Sequence, residues 1–289
     1  MAMLERTQFT WIPTFITLTI ILCGCRSMPD KTLFVSEKFA SGNMPAFHTY
    51  RIDGRTIHYA DIGDASLPLV VFVHGSPGSW KTFAGFMADP YLQDKVRMIA
   101  VDRPGFGQSE SGREVKSLKR QAALLKPILD RNRSGSATIL VGHSFGGPVI
   151  SRMAMDYSDQ VGALIMISPT IDPELENTSW YQHLVKVPLF KILIPKNLIT
   201  ANQEILPLKG ELEKMLTHWN QIHVPVYLFH GERDRLVSPE NAGFAERMLV
   251  NAELKVYLMP ELNHYIPWTR PDLIKFAIID QLENRGSFN

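Results

Sequence analysis

Cysteine is nearly missing from this chain of 289 residues: Cys23 and Cys25 are the two present, and none follows them. A body without cysteine has no disulfide framework and no thiol nucleophile, so its stability must come from an apolar core. Net charge is small as well. Thirty Lys and Arg against 29 Asp and Glu leave +1, too little for a global field that recruits nucleic acid or an acidic partner. No internal repeat, low-complexity tract, P-loop, H-E-x-x-H or Cys/His cluster occurs, so neither a cofactor nor a metal is expected. What remains is 45% apolar and 20% charged residues. That is the composition of a globular protein with a sizeable core, at a length suited to one large domain carrying an insertion.

The N-terminus reads as targeting sequence. Phe9 to Leu22 is an apolar run interrupted by Thr and Pro13. A spanning helix needs about 20 residues, so the run suits the apolar stretch of a signal peptide. It leads into Leu22-Cys23-Gly24-Cys25, which resembles a bacterial lipobox. The resemblance implies a signal peptide over residues 1–24 and Cys25 as a lipid-bearing mature N-terminus. The expected state is an exported lipoprotein, anchored rather than spanning. Arg26 is not the Asp that often marks inner-membrane retention, so the expected place is the periplasmic side of the outer membrane. Residues 25–48 read as a tether.

From Tyr50 the pattern becomes regular. Tyr50–Ile52 and Thr56–Asp61 flank Asp53-Gly54, a pair suited to a tight hairpin turn. Unbroken apolar runs follow at Leu69–Val73, Val96–Val101, Thr138–Val141, Ala163–Ile167, Val226–Phe229 and Leu254–Leu258. Such runs mark strands covered on both faces. Helical stretches are expected at about 115–131, 145–157, 239–250 and 271–284. The alternation predicts an α/β class with a mostly parallel sheet and helices on both faces. Residues 171–224 break the rhythm. A structureless loop of that length is improbable, and Trp180 to Ile194 is rich in apolar groups, so an inserted subdomain is expected between core segments 49–170 and 225–289. Arg113–Arg133 carries seven Lys or Arg against two acids, a solvated face or one that rests on anionic head groups.

Chemistry concentrates where strands end. Gly142-His143-Ser144-Phe145-Gly146 satisfies G-x-S-x-G at a strand–turn–helix junction. Ser144 would stand on a sharp turn, with Gly142 and Gly146 removing Cβ atoms where strand and helix approach. His143 is expected to line or shape the pocket. A hydroxyl needs a base, and the base an orienting carboxylate. Phe229-His230-Gly231-Glu232-Arg233-Asp234 and Leu262-Asn263-His264 follow two late strands, which points to Asp234 as acid and His264 as base. Asp172 and Glu232 are the competing acids. His230 reads as a satisfied core histidine and His74 as structural. Backbone N–H groups of Ser76 and Phe145 are the expected oxyanion donors. Gly75 lets the backbone approach, and Pro77, lacking an N–H, cannot donate.

These motifs together, His74-Gly75-Ser76-Pro77-Gly78, Asp102 to Ser109, the Ser144 elbow, Gly231 to Asp234 and Asn263-His264, resemble the α/β-hydrolase superfamily over about residues 50–285. The likeness implies an eight-stranded, mostly parallel sheet with an inserted helical cap after the sixth strand. It also implies a serine hydrolase of the carboxylesterase or lipase kind, acting on a fairly apolar small ester. Acyl transfer and C–C or amide cleavage use the same triad and stay open, as does, at a distance, a non-catalytic binding lipoprotein. Relatives that open epoxides carry Asp at the elbow, where this chain has Ser144. The family's Asp102–Arg103 segment is implied to be structural.

Overall fold

The computed structural model describes residues 38–39, 43–176 and 195–286; of residues 284–286 only the backbone is described. The expected signal peptide, Cys25, most of the tether and the Trp180–Ile194 stretch lie outside these. In chain order the elements are β1 (Ala46–Ile52), β2 (Arg55–Ile62), β3 (Leu69–Val73), α1 (Ala84–Met87), α2 (Pro90–Gln93) and β4 (Arg97–Val101). There follow α3 (Leu118–Leu129), β5 (Thr138–His143), α4 (Gly146–Asp156), β6 (Val161–Ile167), α5 (Lys196–Ile205) and α6 (Leu208–Glu213). The chain closes with β7 (Val226–Gly231), α7 (Asn241–Met248), β8 (Leu254–Met259), α8 (Ile266–Thr269) and α9 (Pro271–Gly286).

One eight-stranded sheet runs in the order β1-β2-β4-β3-β5-β6-β7-β8. β1 and β2 pair antiparallel, as do β2 and β4, and every later pairing is parallel. The β1–β2 turn places both Asp53 (φ 48°) and Gly54 (φ 71°) in the left-handed region, as a two-residue hairpin of this twist demands. β1 starts at Ala46, so residues 46–48 belong to the sheet rather than to the expected tether.

Why the central strands are apolar throughout is visible in β3. Leu69, Val71 and Val73 enter one core with Leu124, Leu125 and Ile128 of α3 and Val149 and Ile150 of α4. Val70 and Phe72 enter the other with Phe83, Phe86 and Ile274, Ala277 and Ile278 of α9. Successive side chains point to opposite faces, and both faces are roofed by helices. Each such fully buried Val, Leu or Ile stabilises by about 1.5–3 kcal/mol.

The basic stretch is helical over a shorter span than expected. α3 starts at Leu118 because Ser117 caps it, its side chain accepting the Arg120 N–H, while Glu211 of α6 accepts the Leu118 N–H at 2.9 Å. Its cations are largely engaged: Arg113 with Glu110, Arg120 with Asp53, Lys126 with Asp130, and Arg131 over the Tyr50 and Tyr59 rings. Between β6 and β7 the described residues form helices, α5 and α6 among them. Leu208, Leu212, Met215 and Trp219 bury themselves in the same core as α3 and α4, and Trp219 meets Phe244 of α7 edge-on at 5.5 Å. Among the described residues no helix is long and apolar enough to cross a membrane.

Candidate active site

Parallel strands deliver their carboxyl ends to one edge of the sheet, where sites of open α/β folds collect. Ser144 leaves β5 there with φ 53°, a left-handed conformation that costs a non-glycine residue about 1–3 kcal/mol and persists where the surroundings over-determine it. The surroundings are explicit. The Ser144 N–H donates to the Ile167 carbonyl of β6 at 2.9 Å, and its own carbonyl accepts the Gly147 N–H at 2.8 Å. A Cβ on Gly146 would stand 2.2 Å from the Val73 carbonyl oxygen, and one on Gly142 would stand 2.6 Å from that of Gly146. The turn closes because these positions have no side chain.

Asp234 follows β7. Its Oδ1 accepts the Leu236 and Val237 N–H groups at 2.8 and 2.9 Å, while Oδ2 lies 2.7 Å from Nδ1 of His264. Burial works to raise its pKa, but hydrogen bonds from His230, His264 and the Val237 amide outweigh it and hold the carboxyl well below the usual range. His264 follows β8. Its segment is drawn against the end of β7, where a Cβ on Gly231 would meet the Leu262 carbonyl oxygen at 2.3 Å and the Arg233 N–H donates to the same oxygen at 3.0 Å. With Nδ1–H directed to Asp234, Nε2 is left as the acceptor.

His143, beside Ser144, ties these parts together. Its Nε2–H donates to the His264 carbonyl at 3.0 Å, and its ring lies 4.7 Å from that of His264 and 5.5 Å from that of Trp268. Burial, then the neighbouring His264, lowers its pKa to about 3, so it remains a neutral donor. On the other side of the serine, a Cβ on Gly75 would reach within 2.9 Å of Ser144 Cβ. The His74–Gly78 loop therefore passes directly against the elbow. Two spaces open at this edge. One of about 700 Å³ is lined by Pro77, Gly78, Trp80, Lys81, Lys196 and Trp268, and one of about 450 Å³ borders His264, Tyr265 and Leu236.

Asp172 does not join this group. Its Oδ1 accepts the Glu174 N–H, capping the Pro173–Leu175 turn, and its Oδ2 lies 3.4 Å from Arg247. Glu232 is exposed. The reading of His230 needs correction: it is not a satisfied core histidine. Its Nε2 lies 3.2 Å from the Val237 carbonyl and 3.3 Å from Asp234 Oδ2, and its buried Nδ1 has no partner among the described residues. A pair that sequence reasoning missed altogether is His58–Asp102, buried and 2.8 Å apart. Antiparallel pairing of β2 with β4 makes it, and no local motif announces it. Among the described residues no group of His, Cys, Asp and Glu is arranged to hold a metal ion.

The family model for the alpha/beta hydrolase fold matches residues 68–190. Sheet order, elbow and this match agree. The chain is an enzyme of the α/β-hydrolase fold. The chain is 28% identical to the uncharacterized hydrolase YugF of Bacillus subtilis over 269 residues, covering 80% of this chain and 96% of that one. It is 22% identical to epoxide hydrolase 4 of Mus musculus, over 78% of this chain and 76% of that protein. Among solved structures, Cfl2 of Burkholderia cenocepacia superposes with a TM-score of 0.65 at 19% identity, covering 87% of this chain and 98% of Cfl2.

Proposed function

We propose that this α/β-hydrolase is a serine hydrolase of small, fairly apolar esters, with Ser144, His264 and Asp234 as its triad. The observation that carries the reading is the 2.7 Å Asp234–His264 bond, tied through the His143 hydrogen bond to the His264 carbonyl to the adjoining Ser144, held in left-handed backbone. His264 Nε2 takes the Ser144 hydroxyl proton as Oγ attacks the acyl carbon. Asp234 keeps the imidazole in the needed tautomer and stabilises the imidazolium. The Ser76 and Phe145 amides, which have no hydrogen-bond partner among the described residues, would receive the oxyanion. Collapse expels the alcohol, which leaves with the proton from His264. Water then attacks the acyl-enzyme, gives a proton to His264, and the acid departs as that proton returns to Ser144.

Similarity to an epoxide hydrolase does not extend this chemistry to epoxides, since that reaction uses a carboxylate at the elbow and this chain has Ser144. The space along Pro77, Gly78 and Trp268 is of the size that small-molecule sites use. The inserted segment would roof it as a cap. Cys25 would carry the lipid that holds the exported enzyme at the membrane.

The test is turnover of p-nitrophenyl esters from C2 to C12 by the full-length chain beside Ser144→Ala. Activity lost in the variant supports the mechanism, and the preferred length measures the pocket. Equal rates for both would reject it. An added alcohol acceptor separates hydrolysis from acyl transfer. Loss of metabolic acyl labelling in Cys25→Ala checks the anchor.

A further inference from the structure

Arg103 follows Asp102 at the end of β4, is fully buried, and spends its donors in an ordered way. Nε–H donates to the His74 carbonyl at 2.8 Å, and Nη2–H donates to the Gly75 carbonyl at 3.0 Å. Nη1–H reaches Gln121 Oε1 at 2.8 Å. Nη1 and Nη2 also grip the two carboxylate oxygens of Glu204, on α5 of the inserted segment, at 2.9 and 2.6 Å. The Arg103 backbone N–H donates to His74 Nε2 at 2.9 Å, which leaves the His74 proton on Nδ1. That Nδ1–H donates to the Gly75 carbonyl at 2.7 Å. Burial and the Arg103 charge lower the His74 pKa to about 3, so this tautomer is neutral across the working range.

Two donors therefore converge on one carbonyl oxygen, that of Gly75. In a trans peptide unit the C=O and the N–H of the same plane point in opposite directions. Pinning the Gly75 oxygen toward Arg103 and His74 turns the Ser76 N–H the other way, on a segment that passes against Ser144. Arg103 touches the second donor residue too, its guanidinium lying 4.6 Å over the Phe145 ring. The cation is thus in contact with both halves of the oxyanion site and is anchored from the insertion.

We propose that Arg103 is a positioning residue for the oxyanion hole, and that Glu204, delivered by the inserted segment, holds it in that role. The segment is then part of how the hole is aimed as well as a roof over it. This inference rests on the serine-hydrolase reading.

The experiment uses the full-length chain carrying Arg103→Met and Glu204→Leu together, so that neither charge is left buried alone. Glu204→Gln is examined beside it. The readouts are kcat and KM on a p-nitrophenyl ester, the inhibition constant of an alkyl boronic acid, and the thermal midpoint. The tetrahedral boronate places an oxygen in the hole, whereas KM reflects the ground state. In the double variant kcat falls about 10–100-fold, part of the loss expected for a missing donor. Boronate affinity falls by a comparable factor while KM stays within about twofold. Glu204→Gln gives a smaller loss with the same signature. A folded double variant with unchanged kcat and boronate affinity overturns the proposal, and so does an effect confined to KM and the thermal midpoint. If the double variant does not fold, Glu204→Gln decides on the same readouts. Activity that survives Ser144→Ala removes the underlying reading. Where Ser144→Ala is inactive and the Arg103 and Glu204 variants are unaffected, only this inference falls.

Discussion

Of the buried histidine–aspartate contacts among the described residues, the two made through a histidine Nδ1 have almost the same geometry. His58 Nδ1 lies 2.8 Å from Asp102 Oδ2, and His264 Nδ1 lies 2.7 Å from Asp234 Oδ2. Each aspartate also accepts two backbone N–H groups: Trp80 and Gln108 for Asp102, Leu236 and Val237 for Asp234. In both, burial opposes ionisation and hydrogen bonds prevail, so both carboxyls are held below their ordinary pKa. The difference lies at the far side of the ring. His58 Nε2 is buried with no partner among the described residues, whereas His264 borders a cavity at the edge where Ser144 stands. A His–Asp pair is therefore not by itself a catalytic device. Its second nitrogen must face a nucleophile and a space for substrate.

The comparison is sharpest at the pair proposed to be catalytic. On the proposed triad, Ser144→Ala should lower kcat by about 10⁴–10⁶, since the members of such a triad act as a unit. Asp234→Asn should cost about 10⁴ in kcat by favouring the wrong His264 tautomer, with a much smaller change in KM. Steady-state kinetics on one ester measures both. Asp102→Asn should behave oppositely. Breaking a buried network of this kind costs about 3–5 kcal/mol, visible in the urea midpoint, while kcat of the folded enzyme changes far less than in Asp234→Asn. If Asp102→Asn proved the more damaging to kcat, the assignment of roles to the two pairs would have to be reversed.

Acid should weaken the fold in a way that follows from burial. The pKa values of His74 and His143 are lowered to about 3 from 6.5, so the native state keeps both neutral where the unfolded chain binds protons. Their contribution is complete above about pH 6.5 and is lost as pH falls toward about 3. Asp234, held low, adds loss in the same direction below its unfolded value. Urea midpoints that are flat between pH 7 and 4 would contradict this. The smallest effect belongs to the competing acid. Asp172→Asn keeps a capping oxygen and should leave kcat unchanged, and Asp172→Ala should cost about 1 kcal/mol as a lost cap.

The fold was legible because its signals are contiguous. β3 reads as Leu-Val-Val-Phe-Val, and the elbow occupies Gly142 to Gly146, where each glycine answers a contact that no side chain would fit. Their places after two late strands then pointed to Asp234 and His264. His230 was misread at one ring nitrogen, since no local pattern shows that burial leaves Nδ1 without a partner among the described residues. His58 and Arg103 were opaque for a different reason, since their partners lie 44 and 101 residues away.

The sequence by itself determined the strands, the serine turn and the order of the site residues. Those depend on backbone demands within a few residues: apolar runs covered on both faces, a left-handed serine, glycines where chains touch. The tertiary structure alone decided which histidine meets which carboxylate, and that an arginine buried behind the His74–Gly78 loop is held by Glu204 of α5. Such pairings depend on sheet order, with β2 beside β4 and β7 beside β8, and on burial, which makes a charge choose the partner that the fold brings to it.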